Sequence, residues 1–274
     1  MKAKNENCHS SIKTFGFKTS LAFLSCLIYL LLPSCEKMDI ASTELKNENS
    51  SDTLELKDDN SSDTLSKSNK ALFATTGTVT DVHNHVYKTV KIGTQWWMAE
   101  NLNVFRFNDG TQIQNVTLAS SWSAQISPAL CYYNNIMTNQ EIYGTLYNRY
   151  VITSNKKVCP TGWHVPSDPE WKTLVNYLGG QYPAGNVLKE TGTTHWKTPS
   201  VGTDAKGFNA LPGGYREPNG SFANSLGYYG FWWTTTKQSS GIFMDRWLYY
   251  SSGTCYDYET GNAQSGFSIR CIKD

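Results

Sequence analysis

Charge of one sign is what this sequence most plainly lacks: 24 basic and 23 acidic residues leave a formal net charge of +1. So balanced a chain makes no field that draws nucleic acid or an anionic membrane surface, and nucleic acid is not expected as a partner. A long apolar run is missing too. The stretch Leu21 to Leu32 has 12 residues, too few to cross a bilayer comfortably. Gly-x-Ser-x-Gly, a phosphate-cradling glycine loop, His-Glu-x-x-His and Cys-x-x-Cys are all absent. With them go the simplest signals for a serine hydrolase, a nucleotide site and a zinc site. No pair of carboxylates stands out, so an enzyme is not expected, and neither is a cofactor.

What is present begins at the amino terminus. Lys2, Lys4, Lys13 and Lys18 precede the apolar run, which ends in Leu32-Pro33-Ser34-Cys35. A basic region, a short apolar region and small residues form a secretory signal, and Leu-x-Ser-Cys resembles the bacterial lipobox. Residues 1–35 are therefore expected to be a lipoprotein signal, with Cys35 lipidated and the chain exported to the bacterial outer membrane. Residues 36–75 follow as a tether. Within it Glu44–Leu54 is nearly repeated at Glu55–Leu65, a period of 11. Each unit has two leucines around Asn-Ser-Ser-Asp, too little apolar area to offset the entropy of ordering. About 35 such residues reach on the order of 30 Å.

Export sets the reading of the cysteines. Cys8 and Cys26 leave with the signal and Cys35 takes lipid, so Cys131, Cys159, Cys255 and Cys271 remain. An even set of four in an oxidising compartment reads as two disulfides, with three connectivities open.

Residues 76–274 carry the folded domain. Val86–Ile92 alternates with period two, Gly93-Thr94 turns the chain, and Gln95–Met98 opens another strand, which together signal a hairpin. Ser167-Asp168-Pro169-Glu170 is a capping box. Behind it Trp171, Leu174, Val175 and Leu178 share one helical face and Gly179-Gly180 stops the helix, which predicts a helix over about 168–178. Ala184–Thr191 suggests a second, short one. Short strands separated by Gly, Asn and Ser are expected at Phe208–Leu211, Gly230–Thr235, Arg246–Tyr250 and Gly266–Ile272. The class is α+β: a capped helix on a small, mostly antiparallel sheet with long loops.

Several blocks, in order, carry a resemblance. They are Val86–Gly93, Gln95–Leu102, Tyr143-Gly144-x-Leu146-Tyr147-Asn148, Cys159–Ser167, Leu188-Lys189-Glu190, Gly207–Arg216 and Gly266–Cys271. Together they resemble the Fibrobacter succinogenes major paralogous domain, over about Thr78 to the last residue. The resemblance implies an exported or surface lipoprotein whose biochemical role is undefined. The segments around Trp163–Trp171 and Gly266–Cys271 are also similar to the C-type-lectin-like fold in its formylglycine-generating-enzyme branch. That likeness implies a Cys159–Cys271 disulfide and, by subtraction, Cys131 with Cys255. The enzyme of that branch uses a pair of reactive cysteines; this chain has Cys255 alone there, so that activity is not expected.

Three further groups are candidates. Glu217-Pro218-Asn219 matches a triplet by which some lectins hold calcium, but calcium takes six to eight oxygen ligands and the companion Trp-Asn-Asp is missing. Glu217 and Asn219 thus read first as a surface turn, with calcium the one cofactor to test. His83-Asn84-His85 reads as a turn before the first strand rather than a metal site, and His164 as a packed, hydrogen-bonded residue. The aromatics Tyr228, Tyr229, Trp232, Trp247 and Tyr249, with Arg216, are the expected ligand contacts, because aromatic faces stack on sugars and make contact surfaces of low entropy cost. Strand alternation sends half of them inward, so Trp232 or Trp233, but not both, is expected in the core. The chain is thus expected to display a non-catalytic binding domain for a glycan or a surface protein. The alternative is a structural part of the envelope or a matrix, with a formylglycine-generating-type enzyme third.

Overall fold

A computed structural model describes residues 74–274. The signal, the lipidation position Cys35 and the repeat lie outside the described residues.

The first hairpin follows its alternation. β1 (Thr75–Thr80) pairs antiparallel with β2 (Val86–Ile92), and β2 with β3 (Gln95–Met98) across a turn where Gly93 takes φ +60°, a conformation glycine adopts freely. Tyr87, Thr89, Val90 and Ile92 are buried. Asp81 closes the β1–β2 turn by accepting from the backbone N–H groups of His83 (2.8 Å) and His85 (3.0 Å), so the two histidines belong to that turn. β3 then pairs with β11 (Ile272–Lys273), and β11 with β7 (Trp163–His164), in the order β1-β2-β3-β11-β7. Cys159 and Cys271 form a disulfide beside this junction. His164 is hydrogen-bonded at both ring nitrogens, to Glu170 Oε1 at 2.8 Å and Asp274 Oδ1 at 2.6 Å.

Five α-helices appear among the described residues: α1 (Ala119–Ser123), α2 (Met137–Tyr143), α3 (Arg149–Ile152), α4 (Asp168–Tyr177) and α5 (Gln181–Leu188). α4 begins at the expected capping box, with Glu170 Oε2 accepting from the Ser167 backbone N–H at 2.7 Å. Its buried face, Trp171, Leu174 and Val175, meets Trp97, Phe208 and Trp232 in one core cluster. At about 1.5–3 kcal/mol for each large apolar side chain, that contact outweighs the helix's own propensity. β4 (Gln114–Asn115), β5 (Ala129–Cys131) and β6 (Leu146–Tyr147) make a small separate sheet.

The third sheet, in order β10-β9-β8, is larger than the sequence suggested. β8 (Tyr229–Ser239) and β9 (Ile242–Tyr249) form a long hairpin, and β10 (Cys255–Thr260) adds an unanticipated edge strand. β10 is hard to see in sequence because Asp257 and Glu259 interrupt its tyrosines. Phe208–Leu211, expected as a strand, and all but the last residue of the strand expected at Gly266–Ile272 make only isolated bridges: Ala210 with Lys189, Gly266 with Arg216, Phe267 with Tyr147 and Ser268 with Trp232. A segment that changes partner at almost every residue cannot be a ladder, although it alternates like one.

Two expectations about the core are corrected. Trp232 and Trp233 are both buried, at 1% and 0% exposed. β8 is covered on both faces: Trp232 packs toward α4, while Trp233 packs on Phe267 at 4.6 Å and donates to the Tyr147 carbonyl at 2.7 Å. Cys131 and Cys255 are not paired. Each is a buried free thiol in a different core cluster, Cys131 with Trp122 and Tyr133, Cys255 with Leu248 and Trp232. Burial pushes both thiols up to about 12, so they are inert in the folded domain.

Candidate functional site

Of the expected aromatics, Tyr229, Trp247 and Tyr249 lie on one face of the β8–β10 sheet, while Trp232, also expected to touch ligand, is buried against α4 on the other. Cross-strand register puts Phe231 opposite Trp247, Trp247 opposite Tyr256, and Tyr229 opposite Tyr249. The first three, with Phe267, form a ladder of nearly parallel rings. Phe267 and Phe231 are 5.0 Å apart at 19°, Phe231 and Trp247 5.9 Å at 20°, and Trp247 and Tyr256 3.9 Å at 8°. Beside it Tyr229, Tyr249 and Tyr250 make a second group, with Tyr229 to Tyr249 at 4.8 Å and Tyr249 to Tyr250 at 4.6 Å. Tyr228 and Tyr215 close it at either side, at 5.4 Å from Tyr250 and 6.5 Å from Tyr229. All of these except Phe267 are partly exposed.

This geometry changes what the rings can offer. Rings stacked across strands cover one another's faces, so solvent meets ring edges and phenolic hydroxyls. Each pair adds roughly 0.5–1.5 kcal/mol beyond area burial, and the array is stiff, so binding to it costs little side-chain entropy. Tyr249 titrates above its ordinary range, through loss of water first and then its phenolic neighbours Tyr250 and Tyr229. The Tyr249 hydroxyl therefore stays protonated and remains a donor as well as an acceptor.

The array is held from behind by Lys189, which is fully buried. Its Nζ donates to the carbonyls of Tyr249 (2.8 Å), Tyr250 (3.0 Å) and Ser252 (2.6 Å), above the Trp196 ring at 5.5 Å. One ammonium thus fixes the β9–β10 connection that carries two of the tyrosines. Burial pulls it down to about 8.

Arg216 is a correction. Expected to touch ligand, it is 0% exposed. Its guanidinium donates to the carbonyls of Gly220 (2.9 Å), Val116 and Thr117 (2.8 Å), between the rings of Trp122 and Phe222. An arginine followed by a Pro-Asn-Gly turn carries no sign of whether it faces out or pins that turn. Glu217 and Asn219 lie in the turn it pins. Ser221 Oγ donates to Glu217 Oε2 at 2.7 Å, and Asn219 Oδ1 accepts from the Ser221 backbone N–H at 2.8 Å. Their oxygens close the turn, and among the described residues no three metal-ligating side chains come together.

Sequence reasoning missed Tyr215 and Tyr256; Tyr256 needed β10. It also missed Asp245, which lies two residues before Trp247 and opposite Trp233 and Tyr258. Asp245 is 1% exposed and neither carboxyl oxygen has a partner among the described residues. Burial pushes its carboxyl up to about 8, with Asp257 adding to the rise and Arg246 opposing it. Between pH 3.8 and about 8 the unfolded chain has lost this proton while the folded domain keeps it, so stability falls as pH rises through that window. Asp245→Asn, which stays neutral, should gain on the wild type by about 1.4 kcal/mol per pH unit at most between pH 5 and 8. Urea titrations at the two pH values check this. An unchanged difference between the chains would contradict it.

A second concavity lies elsewhere. A cavity of about 250 Å³ opens between β2, the segment after β3, α2 and the loop at Asn209, with Glu100 and Glu141 among its lining and Arg270 beneath.

A family model described as the Fibrobacter succinogenes major domain matches residues 90–273. The match begins within β2 and runs through β11. It takes in more than half of the chain, which therefore belongs to this family. No curated protein and no solved structure matches the chain.

Proposed function

We propose that this member of the Fibrobacter succinogenes major domain family is a cell-envelope lipoprotein, anchored through Cys35, whose domain binds an extended partner on its aromatic face without chemical turnover. The observation that carries the reading is the partly exposed ladder of Phe231, Trp247 and Tyr256 beside Tyr229 and Tyr249. So many rings kept at the surface sacrifice burial that a purely structural sheet would take. Stiff rings with hydroxyl edges match a glycan chain or a protein surface, each of which offers alternating apolar and hydrogen-bonding groups. A C-type-lectin-like relationship belongs to this proposal, supported by the Cys159–Cys271 bridge between the loop before α4 and the last strand.

Two experiments test it. Growth with an alkyne-bearing palmitate should label the full chain, and Cys35→Ala should abolish the label; labelling that survives the change would remove the anchor from the account. The purified chain is then screened against β-glucan, xylan, mannan, mucin glycans and peptidoglycan, with and without calcium. Saturable binding to at least one, unaltered by chelator, is expected, because the residues of the aromatic face need no metal. Calcium-dependent binding would move the site to Glu217 and Asn219.

A further inference from the structure

The cavity at Arg270 has the chemistry of a site. Its wall includes Gln140, 9% exposed, whose Nε2 donates to Asn103 Oδ1 at 2.6 Å. Thr145 Oγ1 donates to the same Asn103 oxygen at 2.8 Å. These two bonds fix both amides. They leave Gln140 Oε1 as an acceptor and Asn103 Nδ2 as a donor, on adjacent amides, with no partner among the described residues. Glu100 is half-engaged: Oε2 accepts the Lys88 backbone N–H at 2.8 Å and Oε1 is free among the described residues. The floor is firm, since Arg270 donates through Nε (3.1 Å) and Nη2 (2.8 Å) to Asn101 Oδ1, which also accepts from Trp232.

Charge and size narrow the ligand. Carboxylates of Glu100 and Glu141 along the wall repel an anion, while the buried guanidinium of Arg270 below offsets part of their pull on a cation. Adjacent donor and acceptor amides suit a group that is both at once, which a hydroxyl is. A volume of about 250 Å³ is smaller than the ~300 Å³ at which drug-sized pockets begin, so a single sugar ring is enough to fill it. We propose that this cleft binds a single neutral hexose-sized sugar, a vicinal diol meeting Glu100 and a third hydroxyl meeting the Gln140–Asn103 pair. The site is separate from the aromatic face and stands or falls independently of it.

The test is saturation-transfer NMR and calorimetry on the purified full-length chain with D-glucose, D-galactose, D-mannose, L-fucose and N-acetyl-D-glucosamine. At least one should bind with a millimolar Kd, as expected for a handful of hydrogen bonds. Gln140→Met should weaken it about tenfold or more by removing the free acceptor. Since that change also releases Asn103, Ile142→Trp serves as a second variant. Ile142 is 46% exposed at the cavity wall, so a larger ring there blocks entry without disturbing the core. No binding by any of the five sugars overturns the proposal. So does binding that survives both cleft variants and is lost on Trp247→Ala, which would place the sugar on the aromatic face.

Discussion

Replacing Cys159 and Cys271 together by alanine lowers the unfolding free energy by about 4–5 kcal/mol. The bond closes a loop of 112 residues, and removing a cross-link of that span returns on the order of 4.7 kcal/mol of chain entropy to the unfolded state. For a domain of this size the melting midpoint should fall by roughly 10–15 °C. Reduction of the wild type under mild denaturant should give the same shift. The loss has a structural focus. Cys271 lies next to β11, which joins β3 to the edge strand β7, so freeing it loosens the β7 end of the five-stranded sheet. A midpoint unchanged by the double replacement would mean that the two segments stay docked without the bond.

Arg216→Ala should cost about 4 kcal/mol, as large an effect as any single side chain here. The change strips the carbonyls of Val116 and Gly220 of their donors, leaves Thr117 with Asn135 Nδ2 alone, and opens a void between Trp122 and Phe222. Buried acceptors left unpaired cost roughly 1–3 kcal/mol each, and the lost packing adds to that. Arg216→Lys should recover little, because one ammonium cannot reproduce a planar fork that meets three carbonyls. A local readout separates this from general destabilisation. Cys131 shares the cluster with Trp122 and is shut away in the wild type, so a thiol reagent that leaves it untouched should modify it readily in the alanine variant, with Cys255 unaltered. Equal protection of Cys131 in both chains would refute the assignment of Arg216 as the peg of this cluster.

The same residue marks where reading from sequence stopped. α4 was legible because its signals are local: a capping box, a four-residue apolar stripe and a glycine pair. The β2–β3 hairpin was legible for the same reason. Arg216, Arg246 and Arg270 were not, since a buried arginine differs from a surface one only in what lies across from it, and their partners are far away in the chain. Arg246 meets Asp168 of α4, and Arg270 meets Asn101 after β3. The aromatic face was half legible. Tyr229, Trp247 and Tyr249 follow from alternation, but that the rings stand edge to solvent depends on cross-strand register with Tyr256 and on contact with Phe267. The polar cleft left no trace in the sequence, because Asn103, Gln140 and Thr145 are joined only by the fold.

Binding at the aromatic face is tested most directly by titrating the polysaccharide or protein captured by the wild-type chain against Trp247→Ala, with Lys172→Ala on the exposed side of α4 as the control. Trp247 stands in the middle of the ladder, between Phe231 and Tyr256, so its loss removes the shared contact and lets both neighbours relax. The account predicts affinity reduced by about tenfold or more for Trp247→Ala, a hot-spot-sized effect, and unchanged for Lys172→Ala, with both variants folded. Equal affinity for all three chains would contradict it.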